Sequence, residues 1–238
     1  MSAKSSAQLF AWLVHFYTAS GAVLAFAATL AAFGSRYREA FLLLIASTFV
    51  DATDGMLARR AGIPGATPTF DGARLDDIVD YLTFVFVPMM ILYLAGDLPA
   101  GWGFWVVAAV LLASGYGFAS LDAKTSDYFF TGFPSYWNIV ALYLHAARTP
   151  PVFNAMLLLA LVVMVFVRIG YVYPSRTPVL RGLTNALGAT WAVMMLAAVW
   201  LLPDTPRALL IGSLFFPVYY IVLSFWLHAQ RRTRVAAE

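Results

Sequence analysis

Six of the twelve acidic residues of this 238-residue chain fall within thirty positions, from Asp51 to Asp80. They sit in two stretches, FVDATDGMLARR and FDGARLDDIVDYLTF, where apolar runs end and begin. Asp51, Asp54, Gly55 and Ala58 recur at i, i+3, i+4 and i+7, which is one helix face. Gly72, Asp76 and Asp80 recur every four residues, again one face. At about 1.5 Å of rise per residue, Asp51 and Asp80 lie about 9–12 Å from the segment that joins the two helices. Four carboxylates converging at that depth cannot all stay ionised without a neutralising cation. The chain has no Cys and no His close in sequence, so ligation is all-oxygen and selects a hard ion, Mg²⁺ or Mn²⁺. Asp51, Asp54, Asp76 and Asp80 suffice for two such ions, which could bridge a pyrophosphate during an in-line displacement. Gly55, Ala58 and Gly72 leave room for a flat base and its phosphates to approach the backbone.

The elements that carry these residues are membrane helices. The chain is 62% hydrophobic and 11% charged, with mean hydropathy +0.78, which excludes both an ordinary soluble globule and a disordered chain. Apolar runs cover about residues 9–33, 40–57, 78–95, 102–121, 136–147, 152–173, 183–202 and 208–227. The fifth is too short to cross as drawn and is expected to begin nearer Phe129. Such continuous runs require helices, because barrel strands would alternate. The first run is too long for the apolar part of a cleaved leader. The expected architecture is a single all-α domain: a polytopic membrane bundle of about eight transmembrane helices.

Eleven of the fifteen Lys and Arg residues fall on the side that holds Arg59 and Arg74, and four on the other. The positive-inside rule then places both termini and the carboxylates on the cytoplasmic face of a cell inner membrane. A net charge of +3 is too small to suggest a nucleic-acid partner. His15, His145 and His228 share no ligand spacing and are expected to pack. Pro88 is expected to bend the third span, and the QRRTR tail suits anionic lipid head groups.

The pattern D-x-x-D-G-x-x-A-R followed by G-x-x-x-D-x-x-x-D resembles the signature of the CDP-alcohol phosphotransferase family, integral membrane enzymes of phospholipid synthesis. Eight positions match, Asp51, Asp54, Gly55, Ala58, Arg59, Gly72, Asp76 and Asp80. Residues 60–71 make a longer gap than the family usually has, so loop contacts do not transfer directly. That gap, the FDGARLDD context and the eight runs are most similar to a bacterial subgroup whose acceptor is choline. The resemblance implies that Asp51, Asp54, Asp76 and Asp80 bind Mn²⁺ or Mg²⁺, and that Asp80 is also the base for the acceptor hydroxyl. It implies that Gly55, Ala58 and Gly72 line a cytidine site, and that Arg59 braces the phosphates or the first carboxylates. The implied reaction is attack of an alcohol on CDP-diacylglycerol with release of CMP. The implied family core is about residues 1–175, with two further helices and a basic tail over about 176–238. Asp71 and Asp77 match no motif position, and Asp77 lies about 100° around the helix from Asp76.

Acceptor choice is open at this point. A quaternary ammonium such as choline is bound by aromatic faces, and Tyr116, Phe118, Tyr136, Trp137, Tyr171 and Tyr173 collect at the same helix ends as the acids. Tyr136 and Trp137 are the candidates for such a cage, but Tyr and Trp at these depths also serve as interfacial anchors. Arg168, Arg176 and Arg181 could instead receive a phosphorylated acceptor, grip the donor, or set topology. Serine, inositol and glycerol phosphate therefore remain as alternative acceptors. A cation or proton transporter fits less well, because the acids crowd one end and no inverted half mirrors them. Assembly as a homodimer is compatible with the sequence.

Overall fold

Helix α1 (Ala3–Phe33) turns at Gly34–Arg36 into α2 (Tyr37–Ala61), and the two pack along their length. The computed structural model describes residues 3–235 apart from 62–66, 124, 126 and 175. Part of the long 60–71 gap, and Lys124, therefore lie outside the described residues. Along the α1–α2 seam the inward residues are small, with Ala25, Ala28, Ala31 and Ala32 against Ala40, Phe41 and Leu44. Large apolar residues point outward instead, Phe16 being 76% exposed and Phe26 64%. This arrangement suits lipid, where association rests on close backbone approach and not on hiding apolar surface from water. Gly21 shows the principle: a Cβ there would meet Val79 Cγ1 at 2.5 Å, so the helix that carries Val79 is drawn tight against α1 only because that position is glycine.

Helix α3 runs from Gly72 to Leu94 in three consecutive pieces: Gly72–Asp80, a π-helical Tyr81–Phe86, and Val87–Leu94. The expected disturbance at Pro88 takes this form. Pro88 has no N–H to give and its ring crowds the preceding turn, and the wider π turn accommodates both. Asp80 is the last residue before that widening. Asp71 caps α3, its carboxylate accepting the Ala73 and Arg74 N–H groups at 3.1 and 3.2 Å, which accounts for one acid outside the motif.

The remaining helices are α4 (Gly103–Ala119), α5 (Trp137–Ala147), α6 (Pro151–Phe166), α7 (Arg181–Trp200) and α8, which is broken once into Arg207–Ser213 and Phe215–Val235. Among the described residues five helices are long and apolar enough to cross a membrane, namely α1, α2, α3, α7 and α8. Helices α4 and α6 are shorter apolar helices, and α5 has 11 residues. The expected eight runs each contain a helix, but the fifth does not extend back to Phe129, nor the sixth forward to Tyr173. Phe129–Thr131 and Gly170–Val172 are instead strands β1 and β2, antiparallel, with Phe130 opposite Tyr171. Non-helical backbone in an apolar bundle needs partners for its edges, and α8 supplies them.

At the far end from the carboxylates, Arg38 donates through Nε and Nη2 to the Leu202 carbonyl, and Arg148 donates to Pro203 O at 2.8 Å. His145 pairs with Asp97 at 2.7 Å between the rings of Tyr37 and Phe41. The two arginine contacts tie the α7–α8 turn to the rest of the bundle, and the histidine pair joins α5 to the segment before α4.

Candidate metal and donor site

The i, i+4 spacing on α3 and the closeness of α2 bring three carboxylates together. One oxygen each of Asp51, Asp76 and Asp80 lie within 4.8 Å of one another, all three residues being half-buried. Three anionic oxygens at that spacing repel strongly unless a cation sits among them. The donor set is all carboxylate, which fits a hard divalent ion.

Asp54, one turn along α2 from Asp51, stands outside that group. It is 5% exposed and accepts the Thr18 hydroxyl at 2.7 Å. With Gly55, Ala58 and Arg59 it lines a cavity of about 860 Å³. The other walls are Val14, His15 and Thr18 of α1, the 67–74 segment, Asp76, and Arg176 from the chain after β2. The cavity thus opens beside the carboxylate group, with Arg59, Arg74, Arg176 and the small motif residues on its lining.

Gly72 owes its place to a neighbour more than to open space. A Cβ there would stand 2.7 Å from His15 Cε1, too close for any side chain. The imidazole is itself held by Thr67, Nε2 to Oγ1 at 3.0 Å, and packs on Phe70 at a centroid distance of 4.5 Å. Gly55 is freer, a Cβ meeting only Arg59 Nη1 at 3.4 Å. Val14, His15 and Thr18 were not expected in the site, since α1 reads as a plain apolar span. The one signal is the polar set His15, Tyr17, Thr18 and Ser20, in which the site residues His15 and Thr18 share a face at i, i+3.

Two expected ligand contacts are placed otherwise. Trp137 is fully buried in the core, its indole N–H donating to Ser114 Oγ at 2.7 Å and its ring against Phe133. It offers no open face to a cation and acts as packing. Arg168 lies on the surface, ion-paired with Asp122 at 3.1 Å, away from the cavity lining; Arg176 is the arginine that reaches the cavity. The reason is local: the chain turns outward after α6 at Arg168, and β2 carries it back. Tyr136 stays half-buried at the start of α5, where its ring meets that of Tyr220 on α8. The histidines serve three separate places: His15 in the cavity wall, His145 at the far end, and His228 on α8.

No family model matches the chain. Among curated proteins it is similar to the phosphatidylcholine synthase of Legionella pneumophila, at 36% identity over 91% of this chain and 88% of the relative. It is 33% identical to that of Pseudomonas aeruginosa, covering 92% of each chain. To that of Rhizobium meliloti it is 32% identical, over 92% of this chain and 91% of the relative. Identity at this level runs through both the helices that carry the carboxylates and the helices that follow, and the chain belongs to the phosphatidylcholine synthase family.

Proposed function

We propose that the chain transfers the phosphatidyl group of CDP-diacylglycerol to choline, releasing CMP, at a site open to the cytoplasmic face of the inner membrane. The observation that carries this reading is the meeting of Asp51, Asp76 and Asp80 beside a cavity lined by Gly55, Ala58, Arg59 and Gly72. Family membership selects choline over serine, inositol or glycerol phosphate.

The cavity takes the cytidine diphosphate part of the donor, with Gly55 and Ala58 letting the base lie close to α2. Arg59 and Arg176 face its phosphates, and His15 closes the wall behind Gly72. Thr18 holds Asp54 in one rotamer at the cavity edge. Asp51, Asp76 and Asp80, with Asp54 adjoining, would hold one or two Mg²⁺ or Mn²⁺ ions. A bound ion supplies charge neutralisation for the pyrophosphate. Asp80 takes the proton of the choline hydroxyl as its oxygen bonds to the phosphatidyl phosphorus. The bond from that phosphorus to the oxygen of CMP breaks, and CMP leaves with the electron pair.

The test is CMP release by purified protein given CDP-diacylglycerol, Mn²⁺ and each alcohol in turn. Choline-dependent release is expected, with serine, inositol and glycerol phosphate at background. No response to choline overturns the reading, and release with another alcohol replaces the acceptor.

A further inference from the structure

The hairpin of β1 and β2 takes no part in the carboxylate chemistry, yet α8 fixes it at several points. Tyr220 donates its hydroxyl to Val172 O at 3.0 Å, Ser224 Oγ accepts the Val172 N–H at 3.1 Å, and His228 Nδ1 accepts the Gly170 N–H at 3.0 Å. Arg231, further along the same helix, pairs with Asp127 at 2.8 Å and lies 4.4 Å over the Phe129 ring. The pairing of Phe129 with Val172 puts Tyr128 and Tyr173 opposite each other, just beyond the last rung. Thr177, which is 1% exposed, closes that end: its hydroxyl donates to Tyr128 O at 2.8 Å and accepts the Tyr173 N–H at 2.9 Å. The N–H groups of Arg176 and Thr177 both donate to Tyr173 O, at 2.9 and 2.8 Å.

This end of the hairpin presents Arg176. Its guanidinium lies 5.4 Å over the Tyr173 ring and 6.0 Å over that of Tyr128. Tyr173 is itself backed by Phe130, with centroids 4.7 Å apart and planes at 30°. Arg176 is exposed, and of the described residues that line the donor cavity it alone comes from beyond α3. Of the other two arginines there, Arg74 is paired with Asp71 at 3.1 Å and Arg59 belongs to the motif helix α2.

A ring face steadies a guanidinium without using its N–H groups, which lie in the guanidinium plane. A carboxylate partner would neutralise the charge and occupy that edge, whereas two rings leave both to a ligand. The ligand such a planar fork suits is a phosphate, held by two parallel N–H···O bonds. We infer that the hairpin is a phosphate clamp: Tyr128, Tyr173 and Thr177 are positioning residues that aim Arg176 at the diphosphate of the donor. Helix α8 then serves the donor site through β2, although neither belongs to the motif helices. This rests on the proposed use of CDP-diacylglycerol and deepens it.

The experiment reads binding without turnover, by isothermal titration of CDP and of cytidine into purified full-length protein with Mn²⁺ present. CDP carries the diphosphate and cytidine does not. Arg176→Gln is expected to weaken CDP about tenfold or more, and Arg176→Lys less, with cytidine within about twofold of wild type. Tyr173→Leu is expected to weaken CDP about threefold, and Tyr173→Phe, which keeps the ring face, not at all. Thr177→Val should follow Tyr173→Leu, and Thr177→Ser should restore CDP binding. The decisive comparison places Tyr173→Leu in the Arg176→Gln background, where the leucine should cost CDP nothing further. Equal weakening in both backgrounds overturns the positioning role. Tyr173→pentafluorophenylalanine keeps the ring's shape while reversing the charge of its face, and it takes the place of leucine if that variant does not fold. CDP affinity unchanged in Arg176→Gln, or CDP and cytidine weakened together, overturns the clamp and leaves the donor reading intact. If the wild type does not bind CDP, the donor reading has failed and the clamp falls with it.

Discussion

The Thr18 hydroxyl donates to the Asp54 carboxylate at 2.7 Å, joining α1 to the motif face of α2 at a buried point. An acid in such a place is costly without a donor, and α1 supplies it. The first helix is therefore part of the site and not only a membrane anchor.

Thr18→Val keeps the shape and removes the donor. Hydrogen bonds to charged groups contribute about 1.5–3 kcal/mol, so the unfolding temperature should fall and the CDP-diacylglycerol KM should rise. Thr18→Ser should recover both. A valine variant indistinguishable from wild type in thermal unfolding and kinetics would show that Asp54 does not depend on α1.

Asp51→Asn, Asp76→Asn and Asp80→Asn should each lower turnover by about 10²–10³. Chelation should abolish activity, and Mn²⁺ or Mg²⁺ should restore it. A readout independent of turnover is thermal stabilisation by the ion, about 2.7 kcal/mol at a hundredfold excess over its Kd. That stabilisation should be present in the wild type and lost in Asp76→Asn. Equal stabilisation in both would remove Asp76 from the metal site.

Gly72→Ala forces its new methyl group against His15. Activity should drop, and the double variant with His15→Ala should be more active than Gly72→Ala alone. Neighbours in contact show such non-additivity, of about 0.5–3 kcal/mol. Simple additivity of the two losses would mean that the glycine serves the ligand directly.

Ser224→Ala and His228→Ala each leave a β2 N–H without its acceptor. The expected cost is about 1–3 kcal/mol apiece, read as a lowered unfolding temperature in detergent. Unchanged stability would show that β2 does not rely on α8.

The motif acids were legible because their spacing is local: i, i+3 and i+4 place side chains on one face whatever the rest of the fold does. The membrane setting was legible for a similar reason, since composition alone selects the solvent. Trp137 was open to two readings because its sequence neighbours suit both an anchor and a cage. Ser114, 23 residues away, decides between them by accepting its N–H in the core. The hairpin was hidden because short apolar runs such as 129–131 do not distinguish a strand from a helix end. Arg168 and Arg176 stand on either side of β2, and only the return of that strand sends one outward and one into the cavity.

By itself, then, the sequence determined which carboxylates share a face, that no thiol competes with them, and that apolar helices carry them. The tertiary structure alone decided that Asp54 is held by Thr18, that Gly72 faces His15, and that the last helix holds β2. The division is physical. Helical periodicity acts over a few residues and survives any packing, whereas contacts between α1 and α2, or between β2 and α8, join positions 36 or more residues apart, and no local pattern records them.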